Sequence, residues 1–167
     1  MGNLKQTYLI LAILFLNSCQ QPNEEYQKLT KYLEKNIENN EISEPHLYFF
    51  LPDDACSGLV GALTPYFNSM KEETSISLVL IGRSKRKLDI ISRDLILKNQ
   101  LKFDTSGKAY SYNLVKPLTP TIYIISSSGE IDVKEYPEIN LQKIKEDVDH
   151  FLKTKKENSK KATADSV

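Results

Sequence analysis

Two sulfur atoms hold most of the chemistry this chain could do. Cys56 stands within His46 to Gly61 (HLYFFLPDDACSGLVG), which reads as a buried strand, a turn and a helix beginning at the cysteine. A thiol at a helix N-terminus feels partial positive charge, which lowers its pKa and enlarges the thiolate fraction, the form that attacks disulfides and peroxides. Asp53 and Asp54 push the other way, because neighbouring negative charge disfavours a thiolate. Each effect is on the order of one pKa unit or less at an exposed site, so residue types alone leave the sign of the sum open.

Cys19 offers a different chemistry. Lys5 precedes an apolar run, Tyr8 to Leu16 (YLILAILFL), that leads directly into Leu16-Asn17-Ser18-Cys19. The run is too short to span a bilayer but suits a signal-peptide core. The order Leu-x-small-Cys resembles a bacterial lipobox, which implies a signal peptide over residues 1–18. It also implies a Cys19 that carries lipid through its sulfur and opens the mature chain in the cell envelope. Several acyl chains hold a protein on a membrane far more firmly than one. With Cys19 so consumed, Cys56 is a single thiol in a compartment where disulfides persist, and an odd cysteine there needs a role.

The remaining chemistry-bearing residues form no site. His46 and His150 have no cysteine or acid at metal-ligand spacing, so no metal is expected, and no cofactor either. Gly82-Arg83-Ser84-Lys85 lacks the second glycine of a serine elbow, and Ser126-Ser127-Ser128-Gly129 lacks the lysine of a phosphate loop. Lys plus Arg and Asp plus Glu both number 22; a leader holding only Lys5 leaves a formal charge of −1, which gives no electrostatic case for nucleic acid.

The elements that must position Cys56 follow from periodicity. At 167 residues, 40% hydrophobic and 26% charged, the chain suits one globular domain. Gln20 to about Asn40 is an amphipathic helix with Tyr26, Leu29, Leu33 and Ile37 on one stripe, closed before Pro45. His46 to Leu51 is a strand buried on both faces, broken by Pro52-Asp53-Asp54. A helix from Cys56 toward Met70 follows, with either aspartate as its cap and a kink at Pro65. Ile76 to Ile81 is a second buried strand, and Ser84 caps a helix through Leu97. Strand, helix, strand and helix in order predict a parallel pair with a right-handed crossover. The basic run Arg83 to Lys87 is read as a solvated helix end, with contact to lipid headgroups as the lesser alternative. Leu101 to Asp104 is a short strand and Asp104 to Gly107 a turn; Thr121 to Ile125 and Glu130 to Glu135 form a hairpin. A helix from Leu141 to Lys153 closes the domain, and residues 154–167 are expected to be a disordered polar tail.

This pattern, with a cysteine opening the first helix of a β-α-β unit and with Leu118-Thr119-Pro120-Thr121-Ile122-Tyr123 and a Gly129 hairpin behind it, resembles the thioredoxin superfamily. Phe103-Asp104, Gly107 and Tyr110 are similar to its redoxin branch in bacterial envelope proteins. The resemblance covers Pro45 to Lys153. It implies an α/β thioredoxin-like fold with a mixed central sheet flanked by helices over residues 45–153, behind a lipidated tether and helix over 19–44. It also implies a cis Thr119–Pro120 bond, with Pro120 against Cys56. The sequence departs from the family where Cys56-Ser57-Gly58-Leu59 puts leucine at the resolving thiol, Phe50 at the buried acid and Asp53 at the peroxide-binding hydroxyl.

Two readings stand side by side. One is a lipid-anchored single-cysteine redox protein acting on protein thiols or disulfides, with Cys56 as nucleophile, the Ser57 and Gly58 amides as donors, and Thr119 and Pro120 shaping the groove. The other is a non-catalytic module that pairs an extended peptide along the same groove.

Overall fold

The computed structural model describes residues 23–37, 44–96 and 100–164, apart from the side chains of Cys56, Ser57 and Ala164. The leader and Cys19 lie outside the described residues. In chain order the elements are α1 (Glu24–Asn36), β1 (His46–Pro52), α2 (Asp53–Ser69), β2 (Ile76–Ile81), α3 (Lys85–Ile91) and β3 (Leu101–Asp104). They continue with α4 (Lys108–Ser111), β4 (Thr121–Ile125), β5 (Ile131–Glu135) and α5 (Leu141–Ala164). No helix among the described residues is long and apolar enough to cross a membrane.

The strands form one mixed sheet in the order β3-β2-β1-β4-β5. β1 pairs in parallel with β2, and β2 with β3, whereas β1–β4 and β4–β5 are antiparallel. Every residue of β1 and β2 is buried, which is why neither strand shows polar alternation. The pleat sends alternate side chains into two cores. Leu47, Phe49, Leu51, Leu78 and Leu80 meet Leu59, Leu63 and Phe67 of α2, Leu88 of α3, and Ile144 and Val148 of α5. Tyr48, Phe50, Val79 and Ile81 face Leu29, Tyr32 and Leu33 of α1 on the other side. Each such fully buried large side chain stabilises the fold by roughly 1.5–3 kcal/mol, so β1, lined on both faces, is the element the domain cannot lose.

Several expectations are corrected. The helix carrying Cys56 starts at Asp53, so the cysteine is its fourth residue rather than its first. Neither aspartate caps it, since Pro52 is the N-cap and no side chain bonds there. The helix contains Pro65 and ends at Ser69, with Met70 as its C-cap. α3 stops at Ile91 instead of Leu97, because Asn68 of α2 binds the carbonyl of Asp94 at 2.8 Å and accepts from the amide of Ile96 at 2.9 Å. Those two bonds hold the segment out of the helical ladder. The chain past Lys153 continues as helix to Ala164, against the expected tail. Lys155 explains the continuation, donating to Glu73 at 2.5 Å and Ser75 at 2.9 Å, while Ser159 and Thr163 bond back one turn. The Thr119–Pro120 bond is trans; the cis bond among the described residues is Glu44–Pro45. Ahead of Pro120 the chain turns at Leu118, with φ 61°, and closes through the Thr119 amide on the Lys116 carbonyl at 3.2 Å.

Candidate functional site

The ends of the strands decide what gathers around Cys56. β1, β2 and β3 run the same way, so Pro52, Gly82 and Asp104 lie together at one end of the sheet, where the Gly82 amide donates to the Asp104 carbonyl at 3.0 Å. Helix α2 leaves from that end, at the sheet centre, with Cys56 in its first turns. β4 enters at the same end. Its register sets Phe50 opposite Thr121, so one step further along the ladder Pro120 stands beside Leu51, close to where α2 begins. The topology thus brings Cys56 and Pro120 to one end of adjacent elements. The carbonyl of Pro120 is taken by the Tyr136 amide at 2.9 Å, which ties this loop to the end of β5.

Charge at the helix start is more balanced than the bare sequence suggests. Lys87 of α3 reaches Asp53 at 3.1 Å and Asp54 at 3.8 Å, so one cation faces both carboxylates that oppose a thiolate. Asp53 is mostly covered and lies directly on Gly82, where an added Cβ would come within 2.8 Å of its carboxylate. Only glycine accommodates that approach, so Gly82 sets the place of Asp53. The basic run around Lys87 therefore contributes a partner to the cysteine helix in addition to a solvated helix end. Ser84 spends its hydroxyl on the α3 start, accepting from the Lys87 amide at 3.3 Å.

Helix geometry reassigns the amide donors. In an α-helix the first four N–H groups have no intrahelical acceptor. With Pro52 as the N-cap and lacking an N–H, the free ones are the amides of Asp53, Asp54 and Ala55, while the Cys56 amide makes the first ladder bond, to the Pro52 carbonyl. Ser57 and Gly58, expected as donors, fall inside the ladder, and Gly58 lies exposed with open space beside it. Thr119 is likewise occupied. Its amide bonds Lys116, its hydroxyl approaches the Pro117 carbonyl at 3.3 Å, and its carbonyl accepts from the Thr121 hydroxyl at 3.2 Å. Leu118 is 59% exposed just before it, and Ile139 50% exposed beyond Tyr136, so the Pro120 side of this end has an apolar lip.

Two polar clusters elsewhere went unread in the sequence. At the Cys56 end, the buried Asp104 carboxylate accepts from the Tyr32 hydroxyl at 3.0 Å, the Ala109 amide at 2.8 Å and the Lys108 amide at 3.1 Å, as well as from Ser106. It joins α1 to the start of α4. Burial, with the Asp104 charge adding to it, pushes the Tyr32 hydroxyl pKa well up. The only available signal was an acid beside a Thr-Ser-Gly turn. At the opposite end, His46 is buried with its ring 4.4 Å from Tyr48 and Nε2 3.0 Å from the Ser77 hydroxyl. Burial, helped by Lys155 and Lys102, lowers its pKa to about 4. A cleft of about 220 Å³ opens at that same end between α5 and the β4–β5 hairpin, lined by Pro45, Ile124, His150, Phe151 and Thr154 among others. No group of His, Cys, Asp and Glu among the described residues has the arrangement of a metal site.

Compared by sequence, the chain matches no family model and no curated protein. Compared by structure, it is similar to a secreted Mycobacterium tuberculosis disulfide oxidoreductase homologous to E. coli DsbE (13% identity, TM-score 0.49, covering 66% of this chain and 81% of that one). MTB dsbF gives 14% identity and a TM-score of 0.49 over 66% of this chain and 82% of that one. A thioredoxin-like protein from Porphyromonas gingivalis gives 16% and 0.44 over 70% and 80%. The arrangement described above, a parallel β-α-β unit feeding an antiparallel hairpin and a closing helix on one mixed sheet, is the thioredoxin-like fold, and it is the fold this chain adopts.

Proposed function

We propose that this chain is a lipid-anchored thiol redox protein of the bacterial envelope in which Cys56 works alone on protein thiols and disulfides. The observation that carries the reading is positional: Cys56 sits at the start of α2, at the sheet end where Pro120 enters β4. The unladdered amides of Asp53, Asp54 and Ala55 supply partial positive charge, and Lys87 faces the two aspartates, which supports a reactive sulfur at the start of this helix. The thiolate attacks one sulfur of a partner disulfide, that S–S bond breaks, and the partner's second sulfur leaves as thiolate, giving a mixed disulfide. Leu59 stands where a second thiol would resolve it. An external thiolate attacking the partner's sulfur then releases Cys56 and takes its place in the disulfide.

The test is to trap mixed disulfides and, after peroxide, sulfenic acid on the mature protein, with Cys56→Ser as control. Adducts that vanish in the variant support the reading; a wild-type chain that forms none overturns it. The second reading, a peptide-binding module, is favoured by the exposed Leu118 and Ile139 on the Pro120 side of the same end. Because the Thr119 amide is already bonded, such a module would grip apolar side chains rather than pair backbone at that residue. A Cys56→Ser protein that keeps its partners, and loses them in Leu118→Ser, would select it.

A further inference from the structure

The far end of α5 is built unlike the rest of the molecule. Lys155, held by Glu73 and Ser75 in the turn before β2, marks where the helix passes the end of the sheet opposite Cys56. Past Lys155 the helix continues for nine residues, to Ala164, or about 13 Å at 1.5 Å per residue, with the side chains of Lys156 to Thr163 exposed. Between Lys153 and Ala164 there are five lysines and one acid, Glu157. Lys153, Lys156, Lys160 and Lys161 are exposed and pair with no carboxylate among the described residues, and the first three share one helical stripe. The acids at this end sit back on the sheet. Glu44 is bound by Tyr26, and Glu24 and Glu25 by Lys28. Asp132 shares the cleft with Asn158 at the base of the arm and faces Lys134 at 3.9 Å, and Glu72 and Glu130 are exposed at this end, yet the arm's tip extends further than the roughly 8 Å over which salt screens charge.

The N-terminal side of the domain leaves from this same end. Tyr26, in the first turn of α1, donates to Glu44 at 2.8 Å, two residues before β1 begins. Three residues separate Asn23 from Cys19. We infer that the lysine arm of α5 is a docking surface for anionic lipid headgroups. It lies on the membrane beside the tether, and β1, about 20 Å long, carries Cys56 away from the bilayer. The orientation rests on the anchor reading, whereas the charge argument does not. A single apolar anchor leaves a domain free to tumble; a basic arm about 13 Å long beside it holds one end down.

The experiment uses the full chain on vesicles of phosphatidylcholine alone or mixed with phosphatidylglycerol, with acetylation of each lysine read by mass spectrometry. The expected result is that Lys153, Lys156, Lys160 and Lys161 are acetylated several-fold more slowly on the anionic mixture, that salt removes the protection, and that Lys85 at the Cys56 end is unaffected. In K156E/K160E/K161E, protection of Lys153 should disappear. Equal acetylation on both vesicles, or protection that salt leaves intact, overturns the inference. Sedimentation with the anionic mixture but not with phosphatidylcholine would refute the anchor while upholding the arm.

Discussion

Asp104 shows how much structure one buried carboxylate can organise. Its oxygens receive backbone amides from the start of α4 and the Tyr32 hydroxyl from α1, so the negative charge is held by oriented donors. Tyr32→Phe removes one charge-assisted bond and leaves the others; it should lower stability by about 1.5–3 kcal/mol, read as a lower urea midpoint with an unchanged slope. His46 makes a pH-dependent contribution. Its native pKa, about 4, lies below the unfolded value near 6.5, so the unfolded chain binds more protons between those limits. Stability from this residue is therefore complete above about pH 6.5 and is lost as pH falls toward 4, by on the order of 3 kcal/mol. Thermal unfolding across that window should show this loss, and His46→Gln should flatten the part due to the imidazole. Glu73 acts in the same direction at lower pH. Burial alone would raise its carboxyl, but hydrogen bonds from Lys155 and Ser75 outweigh that and hold it below its ordinary value.

At the scale of elements, α2 and α3 form a unit through Lys87 and Asn68. Lys87 faces Asp53, and Asp53 stands three residues before Cys56, a spacing that makes neighbours on a helix. Lys87→Met should leave both aspartates without that cation and slow alkylation of Cys56 at neutral pH by roughly threefold. A rate unchanged by Lys87→Met would mean that the aspartates do not reach the thiol. Helix α5 is fastened along its length by similar means. Tyr66 donates to Asp149 at 2.7 Å, and Tyr136 and Lys134 converge on Asp147 at 2.8 and 2.5 Å. Burial opposes ionisation of Asp147, yet Lys134 and Tyr136 prevail and keep its carboxyl below its ordinary value.

Across the whole molecule the two ends of the sheet have different characters. One end carries Cys56, Pro120 and the apolar lip; the other carries the buried His46, the hairpin and the lysine arm. A chain ending at Lys156 should unfold within about 0.5 kcal/mol of the full protein, since the described residues removed, Glu157 to Thr163, are exposed. Lys155→Ala should cost more, on the order of 1–2 kcal/mol, because it strips the partly buried Glu73 of its cation. Chemical denaturation of the two variants side by side distinguishes an arm that serves the surface from one that serves the fold.

Sequence pattern alone was enough for the strands, the two-sided burial of β1 and β2 and their parallel pairing, the helical faces and the hairpin at Gly129. Each follows from local periodicity or turn chemistry that neighbouring residues impose on one another. Tertiary contact decided the rest. Asn68 halted α3 early, Lys155 anchored a helix where composition suggested none, and Gly82 seated Asp53. Those outcomes depend on groups far apart in the chain, whose meeting is set by packing and charge and leaves no periodic trace in the sequence.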